Sequence, residues 1–395
     1  MARKSQRRRD LDWIRTLTVF LVFPAHALWL IIFVPGFSYA DGTFLSIRVF
    51  RILFAILIPW IMPLLFFISG ASTYFALGSR SAKEYIAERF KRLMVPLVFG
   101  LLVPNVPRIY YSPKYGFLIE KGYSYFFTFL RHDFLAAVYN GGKIRWGHLW
   151  FVVYLFLISL IALPLFILLR REAGRRLTSR LARFFERRGA IFPPGLLLVI
   201  VHVALKPNWP TRAWERHLYN DWSDLTLFAV CFICGYIISS DERFWQAIER
   251  HLKILVVLAV VLMAVVTISW SLITDSGASI VSTYSPRHIL SRAIYSFTIW
   301  IWVLMLSGLG KRFLSFSSKT LDYFSEASYP SYIIHLSIMT VIGFYLAETR
   351  IPPVPHFLIL SIATFLATMI LYELIIKRTN TTRFLFGMRL RKGRR

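Results

Sequence analysis

His26 and His335 each stand inside a long apolar run, where an ionisable side chain is costly unless it faces a wet or protein-lined cavity. An imidazole in such a place can take and return a proton near neutral pH, or it can pack between helices. Arg15 precedes His26 with ten residues between them. In a helix rising about 1.5 Å per residue, His26 then lies roughly 16 Å deeper than Arg15. Against a hydrocarbon core about 30 Å thick, Arg15 falls at one edge and His26 near the midplane. His335 lies nine positions after Glu326, about 13 Å along its own helix. Two mid-depth histidines on separate helices are harder to assign to packing than one.

Three further groups have the right residue types for binding. Arg89 and Arg92, in Glu88-Arg89-Phe90-Lys91-Arg92, are three apart and share a helix face. Paired guanidinium groups can grip the phosphates of a nucleotide-bearing donor with forked hydrogen bonds; electrostatic anchoring of the next helix is the alternative. Ser69 and Gly70, closing Phe66-Phe67-Ile68-Ser69-Gly70, permit close approach of a neighbouring helix or of a ligand. His148, Trp150 and Tyr154, in Gly147-His148-Leu149-Trp150-Phe151-Val152-Val153-Tyr154, can line an acceptor entrance or belong to the aromatic belt of a membrane interface. The sequence holds no phosphate-binding loop, dinucleotide fingerprint, HExxH or nucleophile elbow. Cys231 and Cys234 form a lone C-x-x-C in an apolar stretch and read as packing residues, so no metal is expected.

The elements that must position these groups are membrane helices. Hydrophobic residues are 56% of the 395, and the apolar runs are long enough to span a bilayer. The first run is full length and lacks a small-residue cleavage site, so no signal peptide is expected. Hydropathy and length give ten candidate spans, at 16–34, 49–77, 93–106, 149–169, 191–205, 225–239, 254–273, 293–309, 329–346 and 357–376. Pro59 and Pro63 predict a kink in the second. The formal net charge of +27 could suggest nucleic acid, but the basic residues fall in short clusters between apolar runs. With both termini cytoplasmic, 33 of the 47 Lys and Arg lie inside and 14 outside, as the positive-inside rule requires. The inside clusters Arg170-Arg171 through Arg187-Arg188, and Arg389 through Arg395, read as solvated segments that touch anionic lipid headgroups. The longest outside segment, 107–147, carries Tyr110, Tyr111, Tyr123, Tyr125 and several charges; these suit sugar rings and the membrane interface equally. The expected fold is all-α, a polytopic membrane helix bundle of about ten transmembrane helices. A basic cytoplasmic N-terminus (1–15) and tail (378–395) flank one transmembrane domain (16–377).

Taken in order, these motifs resemble the acyltransferase type 3 family of membrane proteins. The resemblance runs from Leu11-Asp12-Trp13-Ile14-Arg15 with His26, through Phe66-Phe67-Ile68-Ser69-Gly70, Arg89 with Arg92, and His148-Leu149-Trp150-Phe151. It ends at Ser328-Tyr329-Pro330-Ser331-Tyr332-Ile333-Ile334-His335, and so covers about residues 10 to 376. The opening and the last element look most like the glucan succinyltransferase branch, while Ala71 stands where many members carry Phe. The resemblance implies transfer of an acetyl- or succinyl-class group from cytoplasmic acyl-CoA to a hydroxyl, usually of a glycan, at the outer face of a bacterial inner membrane. It makes His26, Arg15 and His335 the catalytic candidates and Arg89, Arg92, Ser69 and Gly70 the donor site. His148, Trp150 and Tyr154 become the acceptor site, with acyl-CoA, a carbohydrate or other hydroxyl acceptor, and membrane lipids as partners and no nucleic acid. His26 would act as general base or be briefly acylated itself, and His335 would orient it or bind the acceptor. The competing class is a transporter or flippase without acyl chemistry; such proteins commonly carry internal repeats, and the two halves of this chain show no obvious one.

Overall fold

Backbone inside a bilayer has no water to bond with, so it must satisfy its own hydrogen bonds as helix. The computed structural model, which describes residues 8–34, 45–111, 127–140, 143–144, 146–206, 221–275, 286–349 and 351–391, is accordingly helical. Tyr123 and Tyr125 lie outside these residues. Among the described residues the one strand pairing is Tyr139–Asn140 with Lys143–Ile144, antiparallel. The helices are α1 (Arg9–Phe33), α2 (Leu45–Ser79), α3 (Ala82–Arg89), α4 (Val95–Leu102), α5 (Asn105–Tyr110), α6 (Phe134–Val138), α7 (Trp150–Ile161), α8 (Leu163–Arg170) and α9 (Glu172–Phe185). They continue as α10 (Pro193–Leu205), α11 (Trp222–Ile238), α12 (Glu242–Arg250), α13 (Leu252–Asp275), α14 (Pro286–Phe313), α15 (Lys319–Ala347), α16 (Pro353–Leu371) and α17 (Asn380–Leu385).

The expectation of ten spans is corrected by this pattern. Among the described residues, six helices are long and apolar enough to cross a membrane, or up to eight if each of two bent pairs counts as one span. The stretch 93–106 yields only the eight-residue α4, entered through a π turn (Phe90–Met94) and followed by Pro104. The stretch 191–205 yields α10, of 13 residues. The fourth candidate breaks by 43° between α7 and α8, where Pro164 cannot donate a backbone bond, and α11 turns by 106° into α12. Hydropathy registers the apolar content of such segments but not their breaks.

The helices group into two units. The first holds Met1–Arg15, Ala55–Glu88 and Tyr154–Leu321. Its interior is aromatic: Phe166 stacks on Tyr236 with centroids 3.8 Å apart, and Trp60 on Trp302 at 5.3 Å. The indole of buried Trp300 donates to the carbonyl of Ile191 at 2.8 Å, which satisfies the one polar atom such a side chain brings. The second unit holds Thr16–Phe54, Arg89–Val153 and Asp322–Arg395. Phe20 packs edge-on against Phe324 and Phe365 there. Val106, Ile109, Tyr110, Phe129, Phe134 and Val138 form a small core of their own.

The C-terminal segment is more than a solvated basic strip. Thr379 caps α17 by accepting from the Thr382 amide, and the buried Arg383 guanidinium pairs with Glu326 of α15. Gly387 ends the helix at φ +67, where its amide donates to the Phe384 carbonyl at 3.0 Å, as left-handed caps do.

The charge distribution makes a topological prediction. Single cysteines placed in 107–147 of a cysteine-free variant should react with an impermeant maleimide from outside intact cells, and those in 170–190 should not. The reverse labelling pattern would overturn the orientation.

Candidate functional site

In the second unit α1 and α15 bring their histidines together. His335 Nε2 lies 3.4 Å from His26 Nδ1, and the ring centroids are 5.0 Å apart. The protons follow from the partners. His335 Nδ1 is 2.8 Å from the Tyr332 carbonyl, which can only accept, so Nδ1 carries the hydrogen and neutral Nε2 is an acceptor. His26 Nδ1 is also 3.0 Å from the Val22 carbonyl one turn back, so it too carries its hydrogen and faces two acceptors. This arrangement leaves the Nε2 lone pair of His26 bare. His335 is fully buried, whereas His26 is only partly so. Of the two imidazoles, His26 is therefore the one a reactant can reach.

His148 completes the cluster. It enters on a 3-10 turn (Gly147–Leu149) that begins at φ +55 on Gly147, and its ring centroid is 5.2 Å from that of His335. Its Nε2 donates to the Ile333 carbonyl at 3.1 Å, and its own carbonyl accepts from the Tyr332 hydroxyl. Its Nδ1 is buried without a hydrogen-bond partner among the described residues. Phe23 stacks on the His335 ring at 4.8 Å. Gly100 lets α4 lie against the side chains of Leu149 and Ile333. Pro24 in α1 and Pro330 in α15 stand shortly before the two helix histidines, each removing a backbone bond from its helix.

One nearby cation is visible only in the folded chain. Arg108 of α5 donates to Asn105, and its guanidinium lies so close to Gly147 that a Cβ there would be 2.9 Å from Nη2. Burial pushes the Arg108 pKa down to about 10, which still leaves it charged at neutral pH. In the sequence it was one charge in a long loop; the i,i+3 spacing of Asn105 and Arg108 was the available signal.

Arg89 and Arg92 belong to the same unit as the histidines. The helix carrying Arg89 starts with a capping box: the Ser81 amide donates to Glu84 at 2.8 Å and the Glu84 amide to Ser81 at 3.3 Å. The Ser81 amide and the Ser81 hydroxyl, the latter at 2.9 Å, both donate to the Glu84 carboxyl and hold it below the usual range. Arg89 ends α3 and Arg92 sits inside the π turn, a distortion frequent at functional sites. Both arginines are partly buried while Lys91 between them is exposed. Gly387 rests against the Arg92 carbonyl and the Tyr329 ring, so the C-terminal segment supports the turn. Trp150 is buried in this unit as well.

The remaining candidates fall in the first unit. Arg15 pairs with Asp12 at 3.3 Å. Tyr154 is fully buried and donates to Asp221 at 2.9 Å. Ser69 accepts at its carbonyl from Thr73 at 2.9 Å. A Cβ at Gly70 would run into the backbone carbonyl of Phe232, and one at Gly235 into that of Phe67, so α2 and α11 cross backbone to backbone. Gly70→Val should therefore destabilise the protein by at least about 1–3 kcal/mol through overpacking, read as a lower thermal midpoint in detergent. An unchanged midpoint would show that the crossing can relax.

A helical bundle of this hydropathy, with imidazoles buried inside it, defines a multi-pass membrane protein. Residues 8–373 match the acyltransferase domain family, Acyl_transf_3, and the chain belongs to that family. No match is found among curated proteins or among solved structures. Family and helices together make this a membrane acyltransferase in general terms.

Proposed function

We propose that the protein moves an acetyl- or succinyl-class group from cytoplasmic acyl-CoA to a hydroxyl of a glycan at the outer face of a bacterial inner membrane, with both termini cytoplasmic. The observation that carries this reading is the bare Nε2 of His26, held by the contacts of its Nδ1 with Val22 and His335. His26 takes the proton of the acceptor hydroxyl as that oxygen attacks the thioester carbonyl. The carbon–sulfur bond then breaks, and the departing thiolate recovers the proton, giving an ester and free CoA. His335 is a positioning residue: its Nε2 accepts from His26 Nδ1–H before the proton moves and continues to do so after. The unpartnered Nδ1 of His148 offers an acceptor for a second hydroxyl. Arg89 and Arg92 receive the donor's phosphates, a task suited to forked guanidinium groups.

Incubation of the purified protein with radiolabelled acetyl-CoA or succinyl-CoA and candidate glycans tests this. Label is expected to pass to the glycan with one CoA released per ester formed. Transfer to no glycan, with neither thioester consumed, would overturn the reading.

A further inference from the structure

In the first unit the short helices α9 and α12 pack against each other, and they treat their apolar faces differently. α12 closes its own: Phe244, Trp245, Ala247 and Ile248 are all buried. α9 does not. Successive residues of a helix point about 100° apart, so Arg176-Leu177-Thr178, Arg180-Leu181-Ala182 and Arg183-Phe184-Phe185 set three parallel stripes along it. Thr178, Ala182 and Phe185 are buried and fasten the helix to the protein, with Phe185 edge-on to Phe244 at 5.0 Å. The Arg243 guanidinium adds a bond to the Ser179 hydroxyl at 2.8 Å. Leu177, Leu181 and Phe184, the middle stripe, are 38–49% exposed. Arg176, Arg180 and Arg183 form the third stripe and are exposed as well. Residues 170–188 hold eight arginines and two glutamates, so most of this charge has no acidic counterpart within the segment. Arg176 does pair with Glu172, but both are well exposed, where such a pair gains little. The helix also starts beside a candidate span. α8 ends at Arg170, Arg171 is extended at ψ 164, and a Cβ at Gly174 would run into the Leu168 carbonyl. The first turn of α9 therefore lies against the last turn of the bent pair α7–α8.

We infer that α9 lies in the plane of the adjoining membrane leaflet and binds anionic phospholipid there. Leu177, Leu181 and Phe184 enter the acyl-chain boundary, and the arginine stripe beside them meets the phosphates. Arginine stems run along apolar surface while their guanidinium groups stay at headgroup level, where the planar fork matches a phosphate. A neutral bilayer would cover the apolar stripe but leave the arginines without counter-charge. A solvated helix, or one bound to a soluble polyanion, would leave three large apolar side chains in water. The inference does not depend on acyl transfer at His26.

Lipid-borne quenchers test it on the full-length protein in phosphatidylcholine vesicles, with a small fluorophore on Leu181→Cys in a cysteine-free variant. Phosphatidylglycerol or phosphatidylcholine with brominated acyl chains is added at equal mole fraction, and bromine quenches only at short range. Both should quench the label at position 181, brominated phosphatidylglycerol about threefold more strongly. The same fluorophore on Arg183→Cys should be quenched severalfold less by either lipid. Arg176→Gln, Arg180→Gln and Arg183→Gln together, at exposed positions whose change disturbs no packing, should bring the two lipids level at position 181. High salt should do the same. Absence of quenching at 181, as for a stripe in water or under a partner protein, would overturn the assignment. So would equal quenching by the two lipids, equal quenching at 181 and 183, or a preference untouched by the three glutamines.

Discussion

His26→Ala should lower the rate of acyl transfer by about 10²–10⁴, the usual contribution of a positioned general base, while expression and folding stay close to wild type. The folding half of the expectation follows from the site. His26 is partly exposed, and its one charge-neutral contact network ends on the Val22 carbonyl and His335. Its removal therefore leaves no buried charge behind. A variant that retains more than about a tenth of wild-type activity would exclude His26 as the base. His335→Ala should cost less, because Val22 still pins the Nδ1 hydrogen of His26 at 3.0 Å. What His335 adds is a second acceptor for that hydrogen when His26 becomes an imidazolium. Its loss should therefore move the acidic limb of the pH–rate profile, which a purely structural role would not do; an unmoved limb would remove His335 from the proton pathway.

The motifs around His26 and His335 were legible because membrane depth converts to residue count along a helix. Eight or ten intervening residues are enough to place an imidazole near mid-depth. That the two rings meet was not legible, since 309 positions separate them and no spacing rule spans that interval. His148 shows the limit more sharply. Its position beside Trp150 suited an acceptor entrance or the aromatic belt equally, and only the fold shows the turn beginning at Gly147 carrying it inward to His335. Span counting failed for a related reason. The stretches that became α4, α7–α8, α10 and α11–α12 are apolar enough to cross a membrane but are shortened or bent, and composition over a window is blind to a break inside it. Arg383 was one more basic residue in a basic tail until Glu326 and Tyr372 appeared beside each other, with the Tyr372 hydroxyl donating to Glu326 at 3.1 Å. Gly70 was readable as a close-approach residue, and only the fold supplied the partner, Phe232.

Arg89→Ala and Arg92→Ala should each raise the KM for acyl-CoA by roughly 10- to 150-fold. A charge-assisted hydrogen bond to phosphate is worth on the order of 1.5–3 kcal/mol, and each 1.4 kcal/mol is a factor of about ten. Their setting makes them better suited to the role than Lys91. Both are partly buried, Arg89 at the entry to a distorted turn and Arg92 inside it, whereas Lys91 is exposed, where an ion pair gains little. Lys91→Ala is therefore expected to change KM by less than about twofold. Trp150→Ala should weaken use of the acceptor and leave donor affinity nearly unchanged. KM follows binding only when chemistry is slow relative to donor release, so direct titration with a non-hydrolysable acyl-CoA analogue is the deciding measurement. If the analogue binds wild type and both arginine variants equally, Arg89 and Arg92 are anchors of the helix that follows, and the donor's phosphates must be held elsewhere.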